Sequence, residues 1–166
     1  FCTFNMLLLP GENIEMATKT LSVNLRLKPF DAFVAIYQPF SGTDLAAYSA
    51  ENHFLDEGPI PIPRDFFTDS ILENPQKRKL IRLFYLFSAV VKFRFPCFIT
   101  TKLLIYLPLD GLYKKVFNLY KSEIRKRYLY GLQGLNEKMS LMGFVYKLFC
   151  HKEPKGPFLK STAPRN

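Results

Sequence analysis

The sequence predicts an α+β domain in which a small antiparallel β portion is followed by a mainly helical, basic second half. Three observations predict it. Residues 21–28 alternate apolar and polar with a period of two, residues 111–130 repeat with the period of a helix, and the sign of the charge reverses near residue 70. Phe1 to Ser70 carries a net −5, and the remainder carries +14.

Length and composition limit the possible classes of fold. At 166 residues the chain has room for one core that needs neither disulfides nor metal. With 48% hydrophobic residues, 17 Phe and 9 Tyr, it lies outside the disordered class, which lacks the apolar area to offset chain entropy. The expected layout is an uncertain leader or untrue start at 1–15, a single α+β domain at 16–151, and a flexible tail at 152–166.

The first strand is expected where Leu21, Val23, Leu25 and Leu27 alternate with Ser22, Asn24, Arg26 and Lys28, up to Pro29. Ala32 to Tyr37 is a short continuous apolar run that reads as a second strand antiparallel to it, and Pro39 and Gly42 follow as turn residues. Asp44 to Phe54 reads as a short helix with Thr43 as its cap. Gly58, Pro59, Pro61 and Pro63 then make 56–64 an extended, Pro-rich connector.

Asn74 followed by Pro75 has the form of a cap and first turn, opening a helix through about Phe95 that Pro96 breaks. No residue between Leu83 and Val91 is charged. Nine helical residues cover only roughly 14 Å against a hydrocarbon core of about 30 Å, so the run reads as a buried helix. A hairpin that entered a bilayer at Pro96 would carry Lys92, Arg94 and Lys102 with it, at roughly 2.5 to 3.5 kcal/mol for each cation held at the centre. No transmembrane span is expected. Ile99, Thr100, Thr101 and Ile105 tilt Cys97 to Leu107 towards a strand.

Gly111 to Tyr130 is the clearest helix, capped by Asp110 and ended by Gly131. Leu112, Tyr113, Val116, Phe117, Leu119, Tyr120, Ile124 and Tyr128 share one half of its wheel, and Lys114, Lys115, Lys121, Arg125 and Lys126 share the other. Asn136 to His151 is a further helix, apolar except for a narrow polar stripe.

Chemistry-bearing motifs are scarce. The sequence contains no phosphate-binding loop, dinucleotide fingerprint or zinc-protease motif. His53 lies near Asp44, Glu51 and Asp56, with Ser41 or Ser49 as a nucleophile, yet a solvated histidine on a short helix explains that neighbourhood far better than a nucleophile and base would. Cys2, Cys97 and Cys150 are far apart and odd in number, and Cys150 and His151 point about 100° apart on a helix; no metal site, cofactor or disulfide framework is expected, and a reducing intracellular compartment is. Met16 to Phe30, free of acids, has the weak character of a mitochondrial import segment, which strand periodicity explains better. Gly131-Leu132-Gln133-Gly134 has the outline of a nucleic-acid backbone clamp, and a glycine cap followed by a turn accounts for both glycines.

These features point to binding rather than catalysis. The expected partner is an anionic lipid surface or a protein complex, engaged by the helices at 111–130 and 136–151 with Lys114, Lys115, Lys121, Arg125 and Lys126 as anion contacts. Two alternatives stand beside it. One is an RNA-binding component in which Tyr113, Tyr120, Tyr128 and Tyr130 stack on bases; the other is an enzyme of unrecognised type.

Overall fold

The computed structural model describes residues 1–55, 66–67, 69–94 and 98–129, the side chains of 98–100 and 125–129 excepted. All of them belong to one unit, Phe1–Leu135. The elements in chain order are β1 (Cys2–Leu7), α1 (Ile14–Leu27), β2 (Asp31–Ile36), α2 (Asp44–Glu51), α3 (Lys77–Phe93), α4 (Phe98–Leu104) and α5 (Asp110–Leu129). The layout is α+β, with a two-stranded sheet and then helices.

The sheet departs from the sequence expectation twice. Its strands are parallel, not antiparallel, pairing Cys2 with Asp31 through Leu7 with Ile36, and its first strand lies within 1–15, where a leader is expected. The alternating stretch, expected as a strand, is helix α1. Leu21 and Leu25, four apart, fall on the covered face of that helix, while Val23 and Leu27, also four apart, are 51% and 52% exposed on the other. A run of alternate leucines thus fits two periods. Local capping selects the helix: Asn13 accepts the Met16 N–H at 2.9 Å, and Lys28, left-handed at φ 54°, donates its N–H to Asn24 O at 3.0 Å. A helical crossover then returns the chain to the same end of the sheet, which makes the strands parallel.

One face of the sheet meets α1 through polar groups. Thr3 Oγ1 donates to Asn24 Oδ1 at 2.6 Å, Asn24 Nδ2 donates to Asn5 Oδ1 at 2.7 Å, and Asn5 Nδ2 donates to Phe33 O at 3.0 Å. On the other face Phe4 stacks on Phe33 with ring centroids 5.1 Å apart and stays 83% exposed.

Helix α3 is the centre of the core. Leu80, Leu83, Phe84, Phe87, Val90 and Val91 are buried among β2, α1 and α5, as the uncharged run predicts. Its start lies later than Asn74. Asn74 Oδ1 accepts the Gln76 N–H at 2.7 Å and Asn74 Nδ2 donates to Glu12 O at 2.7 Å, while Gln76 Oε1 accepts the Ile14 N–H at 2.8 Å. These two side chains tie the loop before α1 to the entry of α3. At the far end Arg94, at φ 54°, closes the helix before Pro96 is reached.

Helix α2 forms as expected, with Thr43 Oγ1 accepting the Ala46 N–H at 3.3 Å. Helix α4 replaces the expected strand. Thr101 and Ile105, four apart, are both fully buried, and β-branched residues make a strand only where a neighbouring strand offers a ladder. The connector at 56–64, the helix at 136–151 and the tail at 152–166 lie outside the described residues.

Candidate functional site

Helix α5 divides largely as its sequence predicts, Leu112 excepted, which stays exposed. Tyr113, Phe117 and Tyr120 enter the core, where the Phe117 ring lies 4.9 Å from that of Phe84 and 5.6 Å from that of Tyr85. Lys114 and Lys121 are exposed and Lys115 is half-buried. Lys121 Nζ stands 3.9 Å from the Phe67 ring centroid and 5.8 Å from that of Phe117, so its ammonium lies over the Phe67 ring as a cation–π contact. The side chains of Arg125 and Lys126 lie outside the described residues.

Of the tyrosines that the RNA alternative would use for stacking, two are buried. Tyr113 is 2% exposed and its hydroxyl donates to Leu104 O at 2.8 Å. Tyr120 is 3% exposed and its hydroxyl donates to Asp31 Oδ1 at 2.9 Å. Buried rings with committed hydroxyls offer no face to a base. The Tyr128 side chain and Tyr130 lie outside the described residues.

The start of α5 is held by a residue that no motif or period in the sequence singles out. Arg82, buried in the middle of α3, donates through Nε to Asp110 Oδ1 at 2.6 Å, through Nη2 to Asp110 Oδ2 at 3.0 Å, and through Nη1 to Ile105 O at 3.2 Å. The fork-shaped donor set matches a carboxylate in a way no lysine can. The guanidinium bond holds the Asp110 carboxyl below the usual aspartate range, and the same bond raises Arg82. Asp110 thereby acts as the first residue of the helix and as the anchor of the turn before it.

That turn is apolar on its outside. Leu103 and Tyr106 are 67% and 57% exposed, and Leu107, Leu109 and Leu112 are exposed as well. Lys79 Nζ lies 4.4 Å from the Tyr106 ring centroid. The reading of Cys97 to Leu107 as a strand gave no sign of this surface; the Leu-Pro-Leu-Asp-Gly sequence at 107–111 was the available signal.

Other titratable groups serve the fold. Glu12 is buried, its Oε2 accepts the Leu9 N–H at 3.2 Å, and burial pushes its carboxyl up. Burial likewise raises the Tyr37 and Tyr113 hydroxyls. His53 is exposed at φ 56°, whereas Ser49 is buried and donates its hydroxyl to Leu45 O at 2.7 Å, so these two do not form a nucleophile and base. Among the described residues no three His, Cys, Asp or Glu side chains group to hold a metal, and no helix is long and apolar enough to cross a membrane.

No protein-family model, no curated protein and no solved structure matches the chain.

Proposed function

We propose that the protein is a binding protein that attaches peripherally to an anionic membrane surface through α5. Lys114, Lys115 and Lys121 are its contact charges, and Arg125 and Lys126 continue the same stripe of the helical wheel. The observation that carries this reading is the one-sided division of α5. Its aromatic residues Tyr113, Phe117 and Tyr120 are fixed in the core, while Lys114 and Lys121 are exposed and Lys115 is half-buried on a backbone that packing holds in place.

Charge gives the reading its direction. With +14 on the second part of the chain, each Lys or Arg that reaches an anionic leaflet contributes about 1 kcal/mol, and the attraction falls off within a Debye length. The RNA reading loses support because Tyr113 and Tyr120 are in the core. Flotation with phosphatidylcholine–phosphatidylserine vesicles at low salt is the test. The parent should float and the variant with Lys114, Lys115, Lys121 and Arg125 all changed to Gln should not; equal flotation of the two removes α5 as the site.

A further inference from the structure

The chain from Leu103 to Leu112 carries exposed large apolar side chains at Leu103, Tyr106, Leu107, Leu109 and Leu112. An apolar cluster rimmed by polar groups is the usual mark of an interaction surface. This one is held in shape from within. The Tyr106 N–H donates to Leu103 O at 3.1 Å, that of Leu107 to Leu104 O at 2.9 Å, and that of Tyr113 to Leu109 O at 3.1 Å. Arg82 grips Asp110 and Ile105 O from beneath, and the Tyr113 hydroxyl holds Leu104 O. The cost of ordering the turn is therefore met on folding and does not recur on binding.

The rim decides what covers it. Lys79 sits over Tyr106, Lys102 lines a groove with Ile105 and Tyr106, and Lys114 is exposed one turn into α5. Of the acids nearby, Asp110 is bound by Arg82, and Glu15 shares the groove with Lys102. The surface is thus apolar at its centre and cationic at its rim. A second copy would bring like charges together, whereas an anionic bilayer offers acyl chains to the leucines and headgroups to the lysines.

We infer that the α4–α5 turn is a membrane-insertion tip: Leu103, Tyr106, Leu107 and Leu109 enter the headgroup–acyl boundary of an anionic bilayer, and Lys79, Lys102 and Lys114 meet the headgroups around them. The inference rests on the membrane reading of α5 for its partner and adds a hydrophobic component to it. Attraction by α5 alone is electrostatic and salt-labile; an inserted tip resists salt.

The chain contains no tryptophan, so Tyr106→Trp supplies a lone indole reporter in the 166-residue chain. On phosphatidylcholine–phosphatidylserine vesicles its emission should shift to the blue, lose access to acrylamide, and keep that shift when salt is raised after binding. Leu103→Ser with Leu107→Ser should lower salt-resistant binding by roughly tenfold or more and leave the thermal transition in place, since both side chains are exposed. Emission that stays that of a hydrated indole while the protein floats would overturn the tip and leave the α5 reading standing. A blue shift that survives the four Lys and Arg to Gln changes on α5 would keep the tip and overturn that reading. A blue shift that appears without lipid and rises with protein concentration would assign the turn to a second copy and overturn the inference, as would a parent that does not float at low salt.

Discussion

The Tyr120 hydroxyl donates to Asp31 Oδ1 at 2.9 Å, joining α5 to the first residue of β2 across 89 positions of sequence. Asp31 is 1% exposed, and Lys92 of α3 stands 3.3 Å from the same oxygen. Asp31 Oδ2 is buried without a donor among the described residues. A buried carboxylate is costly unless its donors are kept, so this contact of three elements constrains where α5 lies on the sheet.

Tyr120→Phe should therefore destabilise the protein by about 1 to 3 kcal/mol, the cost of taking a donor from a buried charged group. The measurement is the midpoint of urea unfolding. A change within about 0.5 kcal/mol would show that Lys92 alone satisfies Asp31.

Arg82→Lys should behave more like Arg82→Met than like the parent. An ammonium cannot reproduce the paired bonds to Asp110 together with the bond to Ile105 O. Hydrogen exchange at the amides of Tyr106, Leu107 and Tyr113 reads the loss directly. Protection of these amides in Arg82→Lys equal to the parent's would disprove the clamp.

The Asp110 carboxyl is held below its ordinary value of 3.8 in the folded protein. A group lowered on folding adds stability above its unfolded pKa and loses that contribution as pH falls through the folded value. The stability gap between the parent and Asp110→Asn should be full above about pH 5 and close as the pH falls below the ordinary carboxylate range. The gap will be modest, because the Asp110 side chain is 59% exposed and solvent screens the pair.

Glu12 should show the opposite trend. Burial raises its carboxyl above the ordinary 4.5, so the folded protein holds the proton more tightly than the unfolded chain. Stability is then lost as pH rises from the unfolded value through the folded one. Glu12→Gln, which can still accept the Leu9 N–H, should gain on the parent as the pH rises above the ordinary carboxylate value. Urea midpoints measured across that rise decide it, and a gap that stays constant with pH would rule the effect out.

On α5 the two faces should separate cleanly. Phe117→Ala removes the ring between Phe84 and Tyr85 and should cost about 3 to 5 kcal/mol. Changing Lys114 and Lys121 to Gln should leave the thermal transition almost where it was, because exposed charges contribute little to folding. A large loss of stability in that double variant would mean that the Lys121 contact with Phe67 and Phe117 belongs to the core.

How far the chain could be read without its fold depends on which interactions decide each element. Helix α5 was legible because twenty residues sample its wheel more than five times and only one period fits them. The buried run of α3 was legible because an uncharged stretch too short for a bilayer must be covered by protein. Thr43 announced α2 through its own hydroxyl.

The remainder depended on partners distant in sequence. Leu21, Val23, Leu25 and Leu27 satisfy both a strand and a helix over seven residues, and the Asn13 and Lys28 caps decide between them. The strands run parallel because α1 carries the chain back to the same end of the sheet, which no feature of β2 itself states. The wheel put Tyr113 and Tyr120 on the apolar half of α5, but only the fold brings Leu104 O and Asp31 to their hydroxyls. By itself the sequence determined where the charge lies and which segments could bury a face, because composition and short-range period are local properties. Tertiary structure decided strand direction, the partner of the Tyr120 hydroxyl and the exposure of the Leu103 to Leu112 turn, because each depends on a hydrogen bond or packing contact between residues far apart in the chain.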